Sequence, residues 1–117
     1  MIFDNLTSIS PIDGRYSDKT SPLKEIFSEF GLIKFRLMIE VRWLEAMSKN
    51  PKITEVPEFS PQTNEVLLSI SENFSLEDAK AIKKIESTTN HDVKAVEYFL
   101  KEKISSIPEL QKVSEFI

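Results

Sequence analysis

Between Phe30 and Leu44 the apolar side chains Phe30, Ile33, Leu37, Val41 and Leu44 recur at steps of three and four residues. Such steps stack side chains on one face of an α-helix, which turns once every 3.6 residues. Val93, Val96, Leu100, Ile104 and Ile107 repeat the spacing further along, and Leu76, Ala79, Ile82 and Ile85 carry it in between. Only two glycines occur in 117 residues. Periodicity and glycine content together predict an all-α fold.

Length and composition narrow the class. A chain of 117 residues, 40% hydrophobic and 29% charged, has enough apolar material for one modest core. A single domain over residues 1–117 is expected. The net charge of -4, with basic residues spread along the chain, argues against nucleic acid or an anionic membrane as the main partner. Without cysteine there are no disulfides and no thiolate metal sites, and one histidine excludes a histidine-rich zinc site. The start Met1-Ile2-Phe3-Asp4-Asn5 lacks the basic and apolar regions of a secretory signal. Lys34, Arg36, Glu40, Arg42 and Glu45 interrupt the most apolar stretch, so it does not read as a membrane span. A cytoplasmic location is expected.

Residues 1–22 read as an irregular lead-in. Ser10-Pro11-Ile12-Asp13-Gly14 predicts a tight turn that presents Arg15 and Tyr16. Ser21-Pro22 then predicts a helix start with Ser21 as the cap. The helix from Leu23 to about Lys49 is expected to break near Gly31 and to stop at Asn50-Pro51. Leu32, Phe35, Met38, Ile39, Trp43 and Met47 give it a second apolar face, which predicts burial between several neighbours, and the aromatic residues from Phe27 to Trp43 are assigned to the core. Arg36 with Glu40, Glu45 with Lys49 and Glu97 with Lys101 have the spacing of ion pairs along a helix. Ser60-Pro61 restarts a helix with Val66, Leu67 and Ile70 on its face, and Ser75 with Asp78 forms a capping box for the next. That helix runs out in Ser87-Thr88-Thr89. Either Thr89 with Asp92 or Asn90 alone caps the helix that follows. Pro108 ends it, and a new amphipathic pattern of Leu110, Val113 and Phe116 is still running at Ile117. The sequence reads as a piece of a longer chain, with an apolar patch exposed at Phe116 and Ile117.

Two polar clusters stand out. Arg15 and Tyr16 offer a planar fork of donors and a hydroxyl, suited to phosphate or carboxylate. Asn90, His91 and Asp92 lie at a helix start, where unpaired backbone N–H groups favour an anion. Each has a plain alternative: turn residues in the first case, an ordinary helix cap in the second. Lys80, Lys83, Lys84 and Lys94 are assigned to a solvated face.

Ser10-Pro11-Ile12-Asp13-Gly14-Arg15-Tyr16, the run 26–32, Glu40-Val41-Arg42-Trp43-Leu44 and Thr88-Thr89-Asn90-His91-Asp92-Val93-Lys94-Ala95-Val96-Glu97 closely resemble the N-terminal part of the bacterial adenylosuccinate lyase family. Residues 108–110 and 113–117 continue the likeness, which covers essentially the whole chain. The resemblance implies the first helical domain of a fumarase/aspartase-type lyase, in which homotetramers with a central helical bundle build each active site from three subunits. It implies β-elimination of fumarate from adenylosuccinate to give AMP, and from the related succinyl-carboxamide ribotide, without metal or organic cofactor. It assigns Arg15 and Tyr16 to the substrate phosphate and Asn90, His91 and Asp92 to a second substrate-binding segment.

The catalytic acid and base of that family belong to segments that do not occur here, so no catalytic residue is assigned and the chain alone is expected to be inactive. A helical interaction module without ligand, and another lyase of the superfamily, are the alternatives. The Asp-Gly-Arg-Tyr and Thr-Asn-His-Asp-Val blocks speak against the latter.

Overall fold

The computed structural model describes residues 4–117, and there the regular structure is all helical, with no strand among the described residues. Residues 1–3 of the expected lead-in lie outside the described residues. The chain divides into two units, Met1–Leu32 and Ile33–Ile117, each taken by itself.

In the first unit, the turn at Asn5–Thr7 is held by a reciprocal box between Asp4 and Thr7. The predicted tight turn follows. Ser10 N–H donates to Asp13 Oδ1 at 2.9 Å, Gly14 N–H to Ser10 O at 3.1 Å and Tyr16 N–H to Pro11 O at 2.9 Å. Gly14 is there for proximity, since a Cβ at this position would stand 2.4 Å from Asn5 O. The lead-in is less irregular than expected, because a helical turn, α1 (Ser17–Thr20), and a 3-10 turn (Ser21–Leu23) follow directly.

Ser21 is not a cap. Its backbone is already helical, and Pro22 sits inside the 3-10 turn. After α2 (Lys24–Phe27) the chain breaks at Ser28 rather than near Gly31. Ser28 is extended, with φ -80° and ψ 170°, and its Oγ accepts from Gly31 N–H at 3.1 Å, which opens α3 (Glu29–Lys49). Gly31 instead lets α3 begin close against α2, because a Cβ there would meet Ile26 O at 2.4 Å.

The second unit carries the core. On α3 the predicted face is buried at Ile33, Leu37, Val41 and Leu44. Its second apolar face is not, since Ile39 and Trp43 are exposed. Phe27 in the first unit is exposed too, so the assignment of both aromatic ends of that stretch to the core is corrected. α4 (Pro61–Glu72) starts at Ser60 as expected, but buries Thr63, Leu67 and Ser71 and leaves Val66 exposed. α5 (Leu76–Thr89) opens with the Ser75–Asp78 capping box and buries Ala79 and Ile82, leaving Leu76 outside.

α6 (Asp92–Ile104) buries Ala95, Val96, Phe99, Leu100 and Ile104. It ends before Ile107, and a short α7 (Pro108–Gln111) adds Leu110 to the core. α5 and α6 run antiparallel, since Phe74 just before α5 meets Phe99 edge-on at 6.4 Å. Asp78 and Lys103 meet at 3.8 Å on the same end of the pair. Burial of Leu37, Leu67, Leu100 and Leu110 at 0% exposure is worth about 1.5–3 kcal/mol per side chain, and this holds the unit together.

The expected Glu45–Lys49 pair forms at 3.6 Å. The other two expected pairs do not: Glu97 takes Lys94 at 3.0 Å, and Arg36 takes Asp92 at 3.0 Å. No helix among the described residues is long and apolar enough to cross a membrane.

Candidate functional site

In the first unit, Arg15 and Tyr16 emerge from the Ser10–Gly14 turn together. With Asn5, Leu6, Ser8, Ser10 and Pro11 they line an open cleft of 370 Å³. The Arg15 guanidinium carbon lies 5.4 Å from the centre of the Tyr16 ring, and Lys19 Nζ lies 6.0 Å from it. Stacking a guanidinium on an aromatic face is worth about 0.5–1 kcal/mol at an exposed site. The contact keeps the guanidinium over the ring. An oxyanion in the cleft meets a cationic, hydrogen-bonding wall. Sequence reasoning missed Lys19, although its position three residues after Tyr16 in a helical turn was a usable signal.

In the second unit, Asn90, His91 and Asp92 form the joint between α5 and α6, and the cap of α6 falls on a different residue from those expected. Asn90 ends α5 in the left-handed region, with φ 54°, and its N–H donates to Glu86 O. Asparagine tolerates that conformation better than most residues. Neither Thr89 nor Asn90 caps α6. His91 does, with its Nδ1 accepting from Lys94 N–H at 3.1 Å. Thr89 Oγ1 instead holds the joint, accepting from His91 N–H at 3.3 Å.

The cap assigns the histidine tautomer. A ring nitrogen that accepts a hydrogen bond carries no proton, so the neutral imidazole places its N–H on Nε2. His91 is exposed, and Nε2 is therefore a donor available to a ligand.

Asp92 is engaged on both oxygens. Oδ1 accepts from Val93 N–H at 2.8 Å and Oδ2 meets Arg36 Nη1 at 3.0 Å. The Val93 N–H holds its carboxyl below the usual range against an opposing effect of desolvation, and the charge and hydrogen bond of Arg36 add to the lowering. Beside it, the hydrogen bond that Lys94 donates to Glu97 raises the lysine's pKa. Burial, with the negative charge of Glu97, raises Glu40 on α3. Lys80, Lys83, Lys84 and Lys94 are all exposed, as expected. No group of three or more histidine, aspartate or glutamate side chains among the described residues is arranged to hold a metal ion.

An arginine beside a tyrosine ring in one unit and a histidine-capped joint between two packed helices in the other belong to an all-helical protein, and its family follows from comparison. A model of a family described as lyase matches residues 14–117, and the chain belongs to that family. Among its relatives, the adenylosuccinate lyase of Haemophilus influenzae is 62% identical over 117 residues, all of this chain and 26% of the relative. That of Escherichia coli K12 is 58% identical over the same 117 residues, again 26% of the relative. That of Vibrio cholerae is 57% identical over 112 residues, 96% of this chain and 25% of the relative. The chain thus spans about a quarter of the length of the curated relatives it matches.

Proposed function

We propose that the chain is the amino-terminal domain of an adenylosuccinate lyase, which eliminates fumarate from adenylosuccinate to leave AMP and acts likewise on succinyl-carboxamide ribotide. The observation that carries the reading is identity of 62% to an adenylosuccinate lyase across every residue of the chain. The geometry of both clusters agrees with it. In the elimination, a base takes a proton from the succinyl carbon, the C–N bond breaks with formation of the carbon–carbon double bond, and an acid protonates the departing nitrogen.

Neither acid nor base is assigned to this chain, whose part is to bind and orient. Arg15, held on the Tyr16 ring, receives the substrate phosphate, with Tyr16 adding its hydroxyl. His91 donates through Nε2–H, and Asn90 and Asp92 complete that segment. Orientation of this kind accounts for a large share of enzymic rate, because it removes the entropy of assembling the reactants. The complete enzyme is read as a cytoplasmic homotetramer without metal or organic cofactor, and the chain alone as inactive.

Substitution of His91 in the complete polypeptide tests the reading. Asparagine is among the best helix caps, so His91→Asn keeps the start of α6 and removes only the imidazole donor. Fumarate release should fall about tenfold or more with His91→Asn while the melting midpoint holds. Arg15→Gln should raise KM for adenylosuccinate and weaken inhibition by AMP. Unchanged kinetics in both variants, or a polypeptide that releases no fumarate at all, would overturn it.

A further inference from the structure

We infer that Arg36, which the proposed substrate contacts do not include, is a positioning residue for the His91 segment. The inference rests on the reading of that segment as a substrate-binding one. Arg36 lies in the first half of α3, beside the buried face anchored by Leu37 and Val41 at 0% exposure. Its Nη1 reaches Asp92 Oδ2 at 3.0 Å, and its side chain is 29% exposed where that of Asp92 is 53% exposed. The arginine is thus the fixed partner and the aspartate the one being held.

The other Asp92 oxygen takes Val93 N–H at 2.8 Å. One carboxylate therefore ties the first turn of α6 to α3. His91 precedes it directly and caps the same turn through Nδ1, so the direction of Nε2–H follows from where that turn is held.

Charge supports the same role. An unpaired carboxylate in the first turn would repel an anionic ligand from the backbone N–H groups there. Arg36 offsets that charge at 3.0 Å without itself occupying the helix end. Asp92 then serves as the link between Arg36 and His91, and the free donors of the segment are the His91 imidazole and the Asn90 amide.

The test is a double-substitution cycle in the complete polypeptide: Arg36→Gln, Asp92→Asn and the pair together, with Arg36→Lys as the conservative variant. Arg36→Gln and Asp92→Asn should each raise KM for adenylosuccinate about tenfold with a smaller change in kcat. The pair together should be no worse than the worse single, because the two residues act through one contact. Arg36→Lys should recover part of the loss and keeps the test open if Arg36→Gln fails to fold.

A melting midpoint that falls while KM stays put would make Arg36 merely structural and overturn the inference. So would an Asp92→Asn defect far larger than that of Arg36→Gln and additive with it, which is the behaviour of a direct substrate ligand. Absence of fumarate release from the unsubstituted polypeptide marks failure of the underlying functional reading instead.

Discussion

In Met1–Leu32 the buried residues among those described are Gly14 and Gly31 alone, whereas Ile33–Ile117 buries seventeen apolar residues. Leu6, Ile9, Ile12, Leu23, Ile26 and Phe27 of the first unit are all exposed. Its order comes from polar turns. Asp4, Ser10, Asp13, Thr20 and Ser28 each exchange side-chain hydrogen bonds with nearby backbone. Each such bond contributes only about 0.5–1.5 kcal/mol net. The second unit rests on apolar contacts between residues far apart in sequence, which cooperate. The two candidate clusters are correspondingly different: Arg15 and Tyr16 stand on a turn, and His91 stands on a packed helix pair.

The largest expected effect that would break this contrast lies in the core. Leu100→Ala should destabilise the second unit by about 2–5 kcal/mol in a denaturant titration, while Ile9→Ala, at a fully exposed position, should stay within about 0.5 kcal/mol. Equal losses would show that the first unit has a core of its own.

Next is Gly14→Ala, which forces a Cβ against Asn5 O and should destabilise the lead-in turn by about 1–3 kcal/mol. Amide exchange at residues 10–16 should rise while α6 stays protected, and on the proposed function the affinity for AMP should fall. Protection lost in α6 as well would mean the units unfold together. Ser75→Ala removes half of a capping box and should cost about 1 kcal/mol, read as fraying of α5 by amide exchange.

The smallest effect is in pH dependence, where two glutamates act with opposite sign. Glu109 titrates below its usual 4.5 because Ser60 and Thr63 donate to it. Its contribution is therefore present above the ordinary value and lost as pH falls through the depressed one. Glu40 titrates above 4.5 because of burial and Glu97, so the charged form disfavours folding once pH rises past its raised value. Glu109→Gln should flatten the acid limb of a stability–pH curve, and Glu40→Gln should stabilise the protein slightly at neutral pH. A curve unchanged by both would mean that solvent screens these groups completely.

Sequence pattern resolved the second unit better than the first for the same physical reason. Periodicity reports burial, so the faces Ile33–Leu44 and Val96–Ile104 were legible, as were the serine caps at Ser60 and Ser75. The lead-in has no periodicity to read, and its break fell at Ser28 because a cap competed with the glycine. At the joint between α5 and α6 the polar run 90–92 was legible as a helix start, but not which of its residues is the cap. A histidine cap preceded by a left-handed asparagine is uncommon, and the pattern Thr89-x-x-Asp92 imitates a capping box. Arg36 was assigned to Glu40 because local spacing says nothing about a partner fifty-six positions away, the interval between Arg36 and Asp92.

Glu109 does more than terminate hydrogen bonds. It accepts from Ser60 N–H at 2.9 Å, Ser60 Oγ at 2.7 Å and Thr63 Oγ1 at 2.9 Å, so the first turn of α4 is finished by a side chain 49 residues further on. The span from α4 to α7 is in effect a ring fastened by one carboxylate. Fastening a loop of that length removes conformational freedom that grows only slowly with further length. A polypeptide emerging in order from its N-terminus therefore lacks this fastening of α4 until Glu109 appears, and the ring closes late.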